Sequence, residues 1–130
     1  GVHIEPWCFI GPHVVFTNDI NPRSGSKTWK ISETLLRTGC SIGAASIIRC
    51  GLNLGAYSML GSGSIVVQSI PDFHIAYGNP AVSKGKTCVC GQSRFSLEEE
   101  ISTHLTECCK EKLSVESFEN AIKYIEKSSN

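Results

Sequence analysis

The chain has no excess charge of either sign. Twelve Lys and Arg balance twelve Asp and Glu across 130 residues. A neutral surface sets aside nucleic acid and anionic membrane as partners, because both demand a basic face. No apolar run reaches the roughly 20 residues that span a bilayer, and no signal peptide opens the chain. A cytoplasmic protein is therefore expected. The chain also lacks an initiator Met and starts inside a repeat, so it reads as an N-terminally incomplete piece of a longer protein. Seven cysteines is an odd number. Without a secretory signal, reduced thiols or a metal site are favoured over a disulfide framework.

What is present is a period. Leu36, Ile42, Ile48, Leu54, Leu60 and Val66 recur at six-residue steps, and Ile4, Ile10 and Phe16 keep the same step upstream. Neither a helix nor a flat strand repeats every six residues; a parallel β-helix of short strand-and-turn units does. Gly11, Gly43, Gly55 and Gly61 directly follow aliphatic positions, and Cys8, Val14, Cys40, Ser46, Ser58 and Ser64 lie four after them. Small residues of this kind suit tight corners.

Residues 1–20 read as one coil. Residues 21–35 break the period with a polar stretch containing Pro22 and Gly25, and a loop of that length in a repeat domain is usually functional or disordered. Residues 36–70 resume the repeat until Pro71 and Asp72 end it. An exit strand and turn over 73–82 close on Gly78-Asn79-Pro80. The reading thus gives three parts: a β-helix over 1–82, a second segment over 83–112 that begins with a short polar linker at 83–87, and a C-terminal helix over 113–130. Ser96 and Glu99 form a capping-box signature, with Leu97, Ile101, Leu105 and Cys108 on one helical face. A last helix is expected from about Ser114 to Lys127, with Phe118, Ala121, Ile122 and Ile125 as its apolar stripe.

Three stretches carry a resemblance: FIGPHVVFTNDINPR (9–23), SIGAASIIRCGLNLGAYSMLGSGSIV (41–66) and IPDFHIAYGNPA (70–81). They resemble the left-handed β-helix, or hexapeptide-repeat, acyltransferases. The first is similar to the branch that acetylates an amine on a nucleotide-linked amino sugar, through Phe16, Asn18, Asp19, Pro22 and Arg23. The resemblance covers about two thirds of the chain. It implies a homotrimer with sites between subunits and acetyl coenzyme A along the coils of the second half. Turns rich in Gly and Ala let an extended thiol arm approach the backbone, whose N–H groups can hold a thioester carbonyl as charge develops. Ala44, Ala45, Gly61, Ser62 and Gly63 are assigned there. Asn79 marks the exit turn, near which Lys84 and Lys86 would meet the phosphates. Related sequences often place a basic residue directly after Gly-Asn-Pro-Ala, where this chain has Val82.

The implied reaction is attack of a neutral amine on a thioester. Asn18 is the candidate to orient the amine, and Asp19 to accept a proton or anchor the sugar; both are also ordinary turn residues. Phe16 belongs to the same matched motif. His13 is either a general base, since imidazole titrates near neutrality, or a surface turn residue. Arg23 either pairs with a carboxylate or diphosphate of the nucleotide sugar or is a solvated loop charge.

Cys88, Cys90, Phe95, Ile101, His104 and Cys108 are spaced like a small ββα zinc finger of the Cys-Cys-His-Cys kind, with one residue between Cys88 and Cys90 where two to four are usual. His104 and Cys108 would share a helical face, completing a structural Zn2+ site with Cys88 and Cys90. Cys109 is the alternative to Cys108, and a buried apolar face with an incidental His and Cys is the alternative to the metal. Glu98, Glu99 and Glu100 at the expected helix start oppose a polyanion, so such a finger would be structural or contact protein.

Two other readings compete with the N-acetyltransferase. One is a non-enzymatic β-helix scaffold that acts through its finger. The other is a metal enzyme like the γ-class carbonic anhydrases, for which His3, His13 and His74 give no recognisable ligand set.

Overall fold

The structure is a computed structural model that describes residues 1–100 and 106–129. Nine short strands wind through three coils. The first coil holds β1 (Val2–Ile4), β2 (Phe9–Ile10) and β3 (Val15–Phe16). The second holds β4 (Thr34–Leu36), β5 (Ser41–Ile42) and β6 (Ile47–Ile48). The third holds β7 (Asn53–Leu54), β8 (Met59–Leu60) and β9 (Ile65–Val66). Strands stack in parallel as β1-β4-β7, β2-β5-β8 and β3-β6-β9, one sheet on each side of a triangular coil.

The register confirms the six-residue period. Ile4 pairs with Leu36 and Leu36 with Leu54; Ile10 with Ile42 and Ile42 with Leu60; Phe16 with Ile48 and Ile48 with Val66. Leu36, Ile42, Ile48, Leu54 and Val66 are fully buried, each stacked on the equivalent residue of the next coil. Each such side chain contributes about 1.5–3 kcal/mol of burial. Ile4 and Ile10 keep their place in the columns but are exposed, because the first coil has a neighbour on one side only.

Corners are closed by small polar groups. Ser46 Oγ donates to the carbonyls of Gly43 and Gly61 at 2.8 and 3.2 Å, and Ser64 Oγ donates to Gly61. These hydroxyls satisfy turn carbonyls that would otherwise be buried without a partner. A Cβ on Gly43 would collide with Ser62 N and Leu60 O of the next coil, which is why glycine follows the inward Ile42.

One corner is unusual. Trp7, Gly39, Tyr57 and Phe73 share it on successive coils, all at positive φ. Bulky residues rarely hold that conformation and need packing to compensate. Tyr57 and Phe73 are stacked at 5.6 Å between centroids, and Tyr124 meets Tyr57 edge-on at 5.7 Å. A Cβ on Gly39 would lie 2.5 Å from the Tyr57 ring, so glycine lets the ring lie across the corner.

The chain leaves the coils through β10 (His74–Gly78), which pairs in parallel with β8. It turns at a cis Asn79-Pro80 bond and returns antiparallel as β11 (Ala81–Thr87), followed by β12 (Arg94–Phe95). Residues 83–87, expected as a linker, are thus strand. Their alternating small and long side chains fit a hairpin, whose outer edge is then covered by β12. The irregular loop covers 17–33 rather than 21–35, since Thr34 and Leu35 pair with Val2 and His3.

The helix expected to begin at Ser96 is not there in residues 97–100. Its capping contact does form, with Ser96 N donating to Glu99 Oε1 at 2.9 Å, but it closes a turn and no helix follows in that stretch. Helix α1 is short, Glu107–Lys112, and α2 runs Val115–Ser128. Ser114 caps α2, its hydroxyl accepting from Ser117 N at 3.2 Å. Of the expected stripe, Ala121 is fully buried with Ala56, Tyr57 and Phe73, and Ile125 packs around them with Tyr124 and Val89, while Phe118 and Ile122 are half-buried. Tyr124 OH donates to Asp72 Oδ2 at 2.7 Å, and Asp72 Oδ1 accepts from Ala56 N at 2.8 Å.

Ile48 lies mid-column and tests this register. Ile48→Ala should cost about 2–5 kcal/mol in urea denaturation, and Ile48→Asp should abolish folding by burying an unpaired charge. Wild-type melting of the aspartate variant would show that position 48 does not face the core.

Candidate functional site

The second corner of each coil brings the proposed cofactor residues together. His13, Ala45 and Gly63 occupy equivalent positions there, at φ of 60, 57 and 70°. Ala45 N donates to Pro12 O at 2.9 Å and Gly63 N to Ala44 O at 2.8 Å, so the corners ladder directly onto one another. Those two N–H groups are therefore spent within the coil stack. The N–H groups of Ala44 and Ser62 carry no bond among the described residues and are the ones a carbonyl could use. His13 joins this column, which its spacing alone did not reveal because loop 17–33 separates the first coil from the second.

Gly61, which stacks under Gly43 beside this column, abuts Tyr77: a Cβ on Gly61 would lie 2.8 Å from Tyr77 Cβ. Tyr77 opens a cavity of about 230 Å3 on the outer face of β10–β12, lined by Ile75, Lys84, Gly85, Lys86, Arg94 and Phe95. Lys84 Nζ sits 6.0 Å above the centre of the Tyr77 ring, a cation–π contact. Lys86 Nζ donates to Glu99 O at 2.8 Å, and Arg94 reaches Thr87 Oγ1 at 3.4 Å. Three cations and two aromatic rings thus meet at one concavity. Lys84 and Lys86 were expected near phosphate; Arg94, Tyr77 and Phe95 were missed. The hairpin pairing of Lys86 with Phe95 brings them in, and the apparent linker hid it. Asn79 stands at the turn of the same hairpin. His74 Nδ1 meets Ser83 Oγ at 3.0 Å on its strands. Burial, helped by Lys86, holds that imidazole below its usual pKa.

The acceptor candidates gather at loop 17–33. Phe16 is half-buried and packs against the β-helix core, from which the chain turns outward. Asn18 O accepts from Ser32 N at 3.0 Å, closing the loop's two ends. Asp19 Oδ1 accepts from Asn21 N at 2.9 Å, an Asx-type turn. Asp19 also lines a cavity of about 370 Å3 with Asn21, Ser26, Thr28, Trp29 and Lys30. Arg23 is exposed, and its carbonyl accepts from Ser26 N.

The cysteines divide into two groups, and none is in a disulfide. Cys40 is buried in the coils, and burial pushes its thiol up to about 12 against a weaker lowering from Ser58. Cys88, Cys90, Cys108 and Cys109 form one cluster with all sulfurs within 4.8 Å of one another. Burial raises the Cys88 thiol, but hydrogen bonds from Ser93 N and its neighbours outweigh it and bring it down to about 6. Burial and the neighbouring thiols hold Cys90 above its usual value. Of the expected Cys-Cys-His-Cys ligands, Cys88, Cys90 and Cys108 are gathered, and His104 lies outside the described residues. Cys109, the alternative to Cys108, joins the same group, because both residues sit at the start of α1. Among the described residues no histidine set appears: His3 meets Glu33 at 3.4 Å, while His13 and His74 lie in separate settings.

No family model matches the chain. It is 51% identical over 57 residues to the dTDP-3-amino-3,6-dideoxy-alpha-D-galactopyranose 3-N-acetyltransferase of Aneurinibacillus thermoaerophilus, covering 44% of this chain and 30% of that protein. It is 30% identical over 90 residues to the galactoside O-acetyltransferase of Lactococcus lactis, covering 60% and 42%. The chain thus spans less than half the length of these curated relatives. Among solved structures, a single-site variant of AntD, an N-acyltransferase from Bacillus cereus in complex with dTDP and coenzyme A, matches with a TM-score of 0.55 at 26% identity, over 64% of this chain and 51% of that one. Galactoside acetyltransferase in complex with coenzyme A shares the fold, with a TM-score of 0.58 at 24% identity over 65% and 44%. The zinc-finger resemblance finds no support, whereas the β-helix is shown to be a left-handed hexapeptide-repeat fold that resembles the acyltransferases and, among them, a dTDP-amino-sugar N-acetyltransferase.

Proposed function

We propose that the chain is the β-helix portion of an acetyl-CoA-dependent N-acetyltransferase that acts on a dTDP-linked amino sugar. The observation that carries this is the 51% identity over 57 residues to a dTDP-amino-sugar N-acetyltransferase. The corner column and the basic, aromatic cavity below it support the donor side. In this reading the pantetheine arm runs along Ala44, Ala45, Gly61, Ser62 and Gly63. The N–H groups of Ala44 and Ser62 meet its carbonyls, and Lys84, Lys86 and Arg94 meet its phosphates near Asn79. Arg and Lys suit this task because charge-assisted bonds to phosphate are about twice as strong as neutral ones.

On the acceptor side, Asn18 orients the sugar amine and Asp19 anchors the sugar at the mouth of loop 17–33. Phe16 fixes the point where that loop leaves the core, and Arg23 offers its guanidinium to the diphosphate. The neutral amine attacks the thioester carbonyl, a C–N bond forms, the C–S bond breaks, and coenzyme A leaves as a thiolate. The proton lost by the amine passes to a base, for which His13 is the candidate. Zn2+ takes no step in this transfer; it is a structural ion in this reading.

The site is completed by a neighbouring subunit of a homotrimer. Val15, Ile47 and Ile65 form an outward column on β3-β6-β9, and Val15 and Ile47 are exposed. An aliphatic stripe of this kind on a flat sheet suits burial against another copy. Ile47→Glu should therefore lower the mass seen by light scattering from three chains to one of 14.1 kDa. A wild-type chain that is already monomeric at high concentration would sink the trimer.

Two variants separate the halves of the site. Asn18→Ala should lower kcat for the amino sugar by about ten-fold or more with acetyl-CoA affinity unchanged. Arg94→Ala should weaken acetyl-CoA binding by about ten-fold in calorimetry, the worth of one charged hydrogen bond. Unchanged kinetics for Asn18→Ala would remove it from the site, and unchanged coenzyme affinity for Arg94→Ala would move the phosphates elsewhere.

A further inference from the structure

The four clustered cysteines belong to neither half of the transfer site. Cys88 and Cys90 lie just after β11, on a tight turn. Gly91 holds that turn at a φ of 78°, and its N–H donates to Cys88 O at 3.0 Å. Cys108 and Cys109 come from the first turn of α1, which leads into α2. Two elements distant in sequence thus deliver two thiols each to one point.

The distances fit a tetrahedral ion. Zinc holds thiolate sulfur at about 2.3 Å, so a regular tetrahedron has sulfur–sulfur edges of about 3.8 Å. Cys88 and Cys90 Sγ are 3.5 Å apart, Cys88 and Cys108 3.8 Å, and Cys90 and Cys108 3.5 Å. Cys109 Sγ closes the group within 4.8 Å of the rest. Cys88 and Cys109 are buried, and Cys90 and Cys108 half-buried, so water has limited access. Outer-shell donors are also in place. Ser93 N donates to Cys88 Sγ at 3.3 Å, Ser93 Oγ lies 3.3 Å from Cys108 Sγ, and Thr106 Oγ1 lies 2.7 and 3.4 Å from Cys108 and Cys109 Sγ. Such donors orient thiolate ligands and spread their charge. Four soft thiolates in this geometry select zinc over hard cations.

We propose that Cys88, Cys90, Cys108 and Cys109 bind one zinc ion as a tetrathiolate that staples the helical appendage to the last hairpin of the β-helix. Four S–H bonds give up their protons to solvent as four Zn–S bonds form, leaving a site of net charge −2. A helix as short as α1 does not hold its shape alone, because nucleation costs more than a single turn returns. Metal ligation supplies the missing constraint. Val89, between the first two ligands, packs on the Tyr57–Phe73 seat of α2, so the staple also aligns α2 on its corner.

The test uses the whole chain, purified without added metal. Elemental analysis should find one zinc per chain. Replacement by Co2+ should give the thiolate-to-metal charge transfer and intense visible bands of a tetrahedral sulfur site. Cys109→Ser and Cys90→Ser should each weaken zinc binding by ten-fold or more in chelator competition, while His104→Ala and Cys50→Ser keep full affinity. Chelation should speed amide exchange in 88–95 and 115–128 and leave Leu36–Val66 protected. The cobalt spectrum needs no variant, so misfolding of a cysteine mutant does not obscure the answer. Absence of metal at saturating zinc, or a disulfide among the four, overturns the site. Zinc lost in His104→Ala but kept in Cys109→Ser overturns the ligand set. Exchange unaffected by chelation overturns the staple.

Discussion

Stacking in register is the constraint on which everything else here depends. Each coil passes its backbone N–H groups to the carbonyls of the next, as in Gly11 N to Ile42 O and Gly43 N to Leu60 O, both at 2.8 Å. That ladder holds only if every coil spends the same number of residues per side. The inward aliphatic, the glycine after it and the small corner residue are three consequences of one requirement. The aliphatic fills the triangular core, the glycine leaves room for the neighbouring backbone, and the corner hydroxyl satisfies carbonyls that the ladder does not reach. The candidate donor site obeys the same rule. Equivalent corners stack His13, Ala45 and Gly63 in a line, and its small Ala45–Gly63 end leaves the room that an extended thiol arm needs.

The inward columns were legible in the sequence because a six-residue period has one structural meaning. Ile48 between Phe16 and Val66 is where the spacing put it. The last helix was legible too, through Ser114 and its apolar stripe. Other parts were hidden for physical reasons. Residues 83–87 read as a linker because Ser, Lys and Gly are poor strand formers, and their strand exists through pairing with β10 and β12. That pairing is what recruits Arg94 and Phe95 to the basic cavity. The capping pair Ser96 and Glu99 misled, since a local hydrogen bond that can begin a helix can also close a turn. Nor did composition show that Tyr57 and Phe73 hold positive φ, because bulky residues do so only where packing compels them.

The two ends of the chain's chemistry are held by different physics. The coil stack is a repetitive, dry core with its hydrogen bonds in the backbone. The hairpin and helices beyond it make a second cluster, built on Ala56, Tyr57, Phe73 and Ala121 and tied by Tyr124 to Asp72. Asp72 stands where the six-residue period ends, and it holds both the last corner and the first contact of the appendage. A residue that breaks the repeat thereby becomes the joint between the coils and the helices.

Loop 17–33 interrupts the chain without interrupting the stack. His13 and Ala45 flank it and still occupy the same corner, and Ser32 N to Asn18 O closes its base at 3.0 Å. The loop leaves and re-enters the coil at neighbouring points, so its length is uncoupled from the register. A segment anchored in this way can be lengthened, shortened or exchanged at little cost to the rest. Natural variation can then re-tailor the surface of the loop while the coil stack is inherited unchanged. Divergence of specificity within such a scaffold needs no redesign of its core.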